Sequence, residues 1–405
     1  MFALFETGWG LLAPGSGQPC PPSSLPLTVV TDHVGPELAH VPEGELPPED
    51  VVVSVEGRLP LWQRLAYLAA GLALFVTALG LMRRGAGALI PALSGSIFTD
   101  NAWSTLGLGW LGACLVLSGS PVAASSLSLL DGGAIDRTQS FTMLTGSRLG
   151  AAFVVLVVGV VYAVRGRGQG GRRAPISIGI LSLLMTAIAY VPGAAVGYWL
   201  LRRGSFDGLT IGTSPSVTSL TDTLFGWAPD ALEAVLPGWT LFPAGVLVLL
   251  LGFRLFDNVL PSVGSSELAG RDAAWYTRKW PMFLLGLVVT LATLSVSVSL
   301  TLLVPLVARG VLRRSNTLPY IAGANITTLI DTLVAAVLLG NQDGVRVVVA
   351  VTVCVSVWTL LLLALAYRPL RGGCLRIARW VLASRRRLAG FACVLFGVPL
   401  VLIAV

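Results

Sequence analysis

The chain has 405 residues, of which 55% are hydrophobic and only 12% are charged. Soluble proteins carry about a quarter charged residues, so this composition excludes an ordinary soluble domain and predicts an all-α polytopic membrane protein. The net charge of +7 is carried mostly by arginines between the apolar segments, where it sets orientation in the lipid bilayer, so nucleic acid is not an expected partner.

Signatures of catalysis and of metal binding are missing from the sequence. The five cysteines form no CxxC pair, and the two histidines, His33 and His40, lie close to the N-terminus. No Walker, HExxH or GxSxG motif occurs, so an enzyme is not expected. No cofactor is expected either, and no metal beyond a sodium ion.

The first half of the chain is predicted to hold one transmembrane repeat, residues 59–201, after a tail over 1–58. The tail is rich in proline, glycine and acidic residues, which is typical of disorder. Residues from about 89 to 131 are apolar but broken by glycine and proline, which favours a re-entrant helical hairpin. A polar loop follows at 202–239. The complete spans of this half are predicted over Leu61–Met82, Phe141–Val164 and Ile176–Leu201.

The second half is predicted to hold another transmembrane repeat, residues 240–367, in the same order. Its hairpin is expected at about 281–311, where Pro305 interrupts an apolar run. Residues 368–405 form a basic segment with a short apolar end, and the pattern leaves open whether that end crosses the bilayer. The complete spans of this half are predicted over Leu241–Leu260, Pro319–Leu339 and Val345–Tyr367.

The two halves share one register without gaps, at an offset of 177 residues, the difference between positions 295 and 118. A constant offset over about forty residues indicates an internal duplication, and in membrane proteins duplications are typical of transporters. The matching positions include Gly109 with Gly286, Ser118 with Ser295, Ser120 with Ser297, Arg137 with Arg314 and Gly146 with Gly323.

The placement of arginines predicts the orientation of the chain. The basic loop 165–173 and the arginine-rich stretch 368–387 are expected on the cytoplasmic side of the cell membrane, as is the N-terminus, and loop 202–239 outside. The paired arginines at 83–84 and 202–203 count against this arrangement. The predicted orientation makes the repeats inverted, because the second half then starts from the opposite side of the membrane. Inversion brings the two hairpin tips together near the midplane.

Four serines at equivalent positions of the two hairpins are candidate substrate ligands. Hydroxyls and free backbone N–H groups at helix N-termini suit an oxyanion, while the same oxygens also suit a hard cation such as Na⁺. The plain alternative is close helix packing, for which small residues are common. The four are Ser118, Ser120, Ser295 and Ser297.

A second polar group opens the span that follows the second hairpin. Asn325 is a candidate substrate ligand, and Thr327, Thr328 and Asp331 are candidate cation ligands because an acid inside a span is costly. The alternative for Asp331 is pairing with an arginine elsewhere. Arg148 is the matching charge of the first half, and it either faces a substrate anion or caps one of two acids, Asp131 or Asp331.

At these residues the chain resembles the type II sodium-dependent phosphate cotransporters. That family carries a Q-S-S-S hairpin and a G-A-N-I-G-T-T step in each inverted repeat, and here Gly323-Ala324-Asn325-Ile326 is followed directly by two threonines. The similarity extends over about 61–367. It implies that the hairpin and helix-end groups hold phosphate and sodium. The family glutamines are replaced by Leu117 and Leu294, and the asparagine of the first half is replaced by Arg148.

Two hypotheses from different classes follow. The first is a secondary active transporter of a small inorganic anion, most simply sodium-coupled phosphate symport in the plasma membrane, with a homodimer left open. The departures from the family pattern leave room for a different anion or for transport without sodium. The second is a non-transporting paralogue that serves as a regulatory or structural membrane partner, with hairpin tips closed by Leu117, Leu294 and Val296.

Overall fold

A computed structural model describes the chain over residues 60–93, 96–164, 173–210, 227–259, 278–293, 295–308 and 312–405. All of these residues belong to one compact unit. The predicted tail 1–58, most of the basic loop 165–173, the centre of the loop 202–239 and Leu294 lie outside the described residues, so the predictions that fall on them stay predictions.

The described part of the chain is mostly helical and contains no strand. The helices of the first half are α1 (Leu61–Leu93), α2 (Ala102–Val116), α3 (Ser120–Asp131), α4 (Arg137–Ala151), α5 (Phe153–Val164) and α6 (Arg173–Arg202). Those of the second half are α7 (Trp227–Glu233), α8 (Gly238–Val259), α9 (Lys279–Thr293), α10 (Val296–Thr301), α11 (Leu303–Ala308), α12 (Thr317–Thr327), α13 (Ile330–Leu338), α14 (Gln342–Leu365), α15 (Tyr367–Leu382) and α16 (Arg385–Ala404).

Seven helical segments among the described residues are long and apolar enough to cross a bilayer, which confirms the predicted all-α membrane class. The C-terminal helix is one of them, although its crossing was left open. The re-entrant hairpins and the inverted repeats stay predictions. The seven segments are Leu65–Leu93, Arg137–Val164, Arg173–Arg202, Gly238–Leu255, Arg314–Leu338, Gln342–Leu365 and Arg385–Ala404.

Two helices of the predicted hairpins are too short to span a membrane alone. Helix α2 has 15 residues and α3 has 12, against about 20 needed. Helix α1 runs on to Leu93, so the helical hairpin begins only at Ala102, later than the expected start near residue 89. Asn101 starts α2 by accepting hydrogen bonds from the backbone of Trp103 and Ser104.

Helix boundaries repeat at the offset of 177 residues. Helices α1 and α8, which open the two halves, begin at Leu61 and Gly238. Helices α2 and α9 cover Ala102–Val116 and Lys279–Thr293, so both ends coincide at that offset. The span that directly follows the predicted hairpin is interrupted once in each half. The second pieces of these spans, α5 and α13, begin at Phe153 and Ile330. The register seen in the sequence is therefore also a register of local structure.

Helix packing repeats at the same offset. In each half two glycines bring the first hairpin helix against the backbone of the helix that follows the hairpin, and a Cβ at any of them would collide with that backbone. Such contacts allow membrane helices to approach closely. The contacts are Gly109 with Met143, Gly286 with Tyr320, Gly146 with Leu106 and Gly323 with Phe283.

Corresponding helices of the two halves pack on each other in opposite directions. Helices α1 and α8 are antiparallel, because Gly85 contacts Phe242 while Gly252 contacts Gly71. Helices α6 and α14, which close the two halves, are antiparallel as well. There the Trp358 indole donates to the Ile188 carbonyl at 3.0 Å, and the close contact of α6 with Val355 lies further along α6.

The hairpin helices exchange partners between the halves. Helix α3 packs on α13, and helices α10 and α11 pack on α5. The second limb of each hairpin therefore lies against the interrupted span of the other half, and this exchange positions the site described next.

Candidate functional site

The tips of the two predicted hairpins meet. Leu117 ends α2 in the left-handed region, with φ at +58°, and turns the chain toward α3. The Ser297 hydroxyl, at the start of α10, donates to the Leu117 carbonyl at 3.5 Å. This weak bond joins positions 180 residues apart and brings the first turns of α3 and α10 to one place.

Arg148 connects the halves in the interior. It lies in the last turn of α4 and is only 2% exposed. Its Nη1 donates to Thr328 Oγ1 at 2.9 Å and its Nη2 donates to Thr332 Oγ1. Nη2 also lies 3.5 Å from Asp331 Oδ1. These contacts match the predicted pairing of Arg148 with Asp331.

Asp131 is bound elsewhere. Its carboxylate pairs with the Arg83 guanidinium and accepts a hydrogen bond from the Asn341 amide at 2.9 Å. The two acids that could have partnered Arg148 therefore lie in separate polar clusters, and the Arg83 cluster lies at the far end of α3 from the tip.

The guanidinium also borders the tip of the first hairpin. A Cβ at Gly119 would lie 3.5 Å from Arg148 Nη1, and 2.9 Å from both the Ser147 carbonyl and the Ala151 methyl. Only glycine lets the N-terminus of α3 sit this close to α4. The half-buried Ser118 and Ser120 flank that glycine, so the hydroxyls, the helix N-terminus and the guanidinium lie in one neighbourhood.

Asn325 stands at the position that matches Arg148, and its partners lie on α6. Its amide donates to Thr186 Oγ1 at 3.0 Å, and its backbone carbonyl accepts from the Tyr190 hydroxyl at 2.9 Å. Asn325 is 3% exposed. Arg148 and Asn325 therefore each contact residues of the other half. Arg148 does so with a permanent positive charge, whereas Asn325 is neutral.

Two polar atoms at this junction are buried without a hydrogen-bond partner among the described residues. They are Arg148 Nε, a donor, and Asp331 Oδ2, an acceptor. The other carboxylate oxygen of Asp331 accepts from the backbone N–H of Thr332 at 2.6 Å and from its hydroxyl at 3.0 Å. Unsatisfied buried polar atoms are uncommon, so this junction keeps one free hydrogen-bond donor on the arginine and one free acceptor on the carboxylate.

Two predicted ligands are used within their own helices. The Thr327 hydroxyl donates to the carbonyls of Gly323 and Ala324, both at 3.3 Å. The Ser295 hydroxyl caps α10 by accepting from the Val298 backbone at 3.3 Å. Thus Arg148, Thr328 and Asp331 are in direct contact, Ser297 lies at the meeting of the tips, and Thr327 and Ser295 serve local structure.

The tips combine one buried and one accessible apolar residue. Val296 is 7% exposed, whereas Leu117 is 36% exposed, and Leu294 lies outside the described residues. Of the three apolar residues predicted to close the tips in the non-transporting alternative, Val296 is therefore buried and Leu117 is not.

Three functional candidates were missed in the sequence. Thr332 lies four residues after Thr328, a spacing that puts two side chains on one face of a continuous helix, and that spacing was a usable signal. Thr186 and Tyr190 have the same spacing on α6, but no pattern in the sequence links them to Asn325. Their role depends on α6 packing against α12.

No family model matches the sequence, and neither a curated protein nor a solved structure matches it. The resemblance to the sodium-dependent phosphate cotransporters therefore stands on the motif residues alone. Family membership stays a prediction, and the function has to be argued from the contacts of Arg148 and of the hairpin tips.

Proposed function

We propose that this protein is a secondary active transporter of a small inorganic anion, with phosphate as the first candidate. The observation that carries the proposal is Arg148, a buried arginine of one half that contacts the other half beside the N-terminus of α3. A permanent positive charge held in the apolar interior between two duplicated halves is costly, and such charges mark substrate pathways in membrane proteins.

Inverted repeats with re-entrant hairpins explain the helix directions. Helices that correspond at the offset of 177 run antiparallel, as α1 and α8 do. The short α2 and α3 fit a hairpin that enters and leaves the membrane on one side. In such a fold the substrate lies at the repeat interface near the midplane, and rocking of one repeat against the other gives alternating access.

The chemistry around Gly119 suits an oxyanion. The first N–H groups of a helix have no partner inside the helix and lie at the positive end of its dipole. The guanidinium adds a planar donor set that matches carboxylate or phosphate oxygens, and its Nε is unpaired. Hydroxyls of Ser118, Ser120 and Ser297 would complete a shell of donors for a tetrahedral anion.

Uptake of radiolabelled phosphate into proteoliposomes that contain the purified full chain tests the proposal. We expect saturable uptake by the wild type, at least a tenfold loss in Arg148→Ala and a partial loss in Ser297→Ala. Arg346→Ala is the matched control, since this arginine pairs with Asp343 away from the tips, and it should transport like the wild type.

Two results would overturn the proposal. One is absence of uptake and of binding for phosphate and sulfate in folded protein, which favours the regulatory or structural partner. The other is uptake that Arg148→Ala leaves unchanged, since the anion would then bind elsewhere. The plasma membrane and a cytoplasmic N-terminus belong to the same proposal, and a protease-accessible N-terminal tag on the outside of intact cells would contradict that orientation.

A further inference from the structure

The contacts of Arg148 have the composition of a cation site. Its guanidinium is surrounded by the hydroxyl oxygens of Thr328 and Thr332 and by one carboxylate oxygen of Asp331. Neutral hydroxyls with a single carboxylate are the ligand types that hard cations take. Here the positive charge at their centre belongs to the chain itself.

The charge balance requires a cation at this place. The Asp331 side chain is only 10% exposed, and a buried carboxylate is unfavourable unless a positive charge compensates it. Arginine keeps its charge at any physiological pH, so the compensation is permanent. The matching position of the other half is Asn325, which is neutral, so only one half carries a cation of its own.

We infer that Arg148 is a tethered cation that takes the place of a bound sodium ion, so that sodium neither binds at these oxygens nor drives the protein. The statement about anion transport rests on the proposed function. The statement that sodium does not bind rests on the contacts of Arg148 alone. The anion would then be bound next to a fixed charge, and its transport would proceed as anion exchange or proton-coupled movement.

Removal of the arginine should convert the cluster into a sodium site. Arg148→Ala leaves the hydroxyl oxygens of Thr328 and Thr332 and the oxygen Oδ1 of Asp331 around the vacated volume. The other carboxylate oxygen, Oδ2, is buried and has no hydrogen-bond partner. A small cation that enters would restore charge balance. The variant is therefore expected to gain sodium dependence, which is the opposite of what loss of a structural arginine would produce.

The experiment measures melting temperature and ²²Na⁺ binding of the detergent-purified full chain, without phosphate, in NaCl or in choline chloride at equal ionic strength. The wild type should melt alike in both salts and bind no sodium saturably. Arg148→Ala should melt at least about 2 °C higher in NaCl, with saturable ²²Na⁺ binding, because a ligand that binds the folded state stabilises it.

The controls assign the effect to this cluster. Arg148→Ala combined with Asp331→Asn should lose the sodium response, and Arg148→Lys should be as indifferent to sodium as the wild type because the charge is kept. Arg346→Ala removes an arginine from another carboxylate and should show no response.

Saturable sodium binding by the wild type that Asp331→Asn abolishes would overturn the inference, and this measurement needs no arginine variant to fold. Folded Arg148→Ala without a sodium response would overturn it as well. Neither result depends on phosphate uptake, so failure of the transport proposal and failure of this inference are distinguishable.

Discussion

The end of α4 and the end of α12 correspond at the offset of 177 residues, yet they carry different charges. Arg148 and Asn325 each lie two residues after a glycine that packs on a hairpin helix, Gly146 in one half and Gly323 in the other. Arg148 brings a charge to an acid of the opposite half, whereas Asn325 binds neutral groups of α6. The backbone packing is alike at the two ends, whereas their electrostatics differ.

The close glycine packing that the two halves share predicts the largest effects on stability. These effects should be equal in the two halves. Gly146→Ala and Gly323→Ala each place a methyl group against the backbone of Leu106 or Phe283, so each should destabilise the fold by about 3 kcal/mol or prevent folding. Fluorescence-detected size exclusion after heating measures this. Gly87→Ala is the control, because a Cβ there meets nothing within 4 Å. A severe effect in only one half would break the equivalence.

The difference in charge between Arg148 and Asn325 predicts the next largest effect on stability. In choline chloride, Asp331→Ala leaves the Arg148 guanidinium buried and without its counter-ion, which should cost about 3 kcal/mol. Asp343→Ala removes a carboxylate from partly exposed ion pairs and should cost about 1 kcal/mol, less than the buried pair. Melting temperatures compare the two variants. Equal shifts would mean that the buried pair carries no special weight.

The neutral residue Asn325, near the end of α12, predicts a smaller effect on stability. Asn325→Ala removes the hydrogen bond to Thr186 but leaves the carbonyl that Tyr190 binds, so the expected cost is about 1–2 kcal/mol. Thr186→Val should reproduce most of this loss, since it removes the partner of the same bond. Thermal melts of the single and double variants would show non-additive losses, and strictly additive ones would contradict the contact.

The meeting of the tips predicts the smallest effect on stability. Ser297→Ala deletes one 3.5 Å hydrogen bond to Leu117, so the free energy of unfolding should change by less than about 0.5 kcal/mol. Phosphate uptake should nevertheless fall if the hydroxyl contributes to the anion site. An unchanged melting temperature with unchanged uptake would remove Ser297 from that site.

A large part of the architecture could be predicted from the residues. The apolar runs predicted spans that the helices confirm, because a bilayer-crossing helix needs a long local stretch of apolar side chains. The repeat register predicted which helix boundaries would correspond. Helix ends were predicted less accurately. Glycine and proline favour an end of the first span at Met82, whereas α1 continues through Gly85, Gly87 and Pro91 to Leu93.

The sequence by itself determined the helical membrane class and the register of the two halves. It also identified the polar residues that are energetically costly inside apolar segments. Tertiary structure alone decided which of those residues meet. Arg148 and Asp331 are both costly inside a membrane, but either could have faced a ligand, water or another residue. Their pairing depends on α4 and α13 coming together from distant parts of the chain, and local sequence patterns hold no information about such long-range contacts.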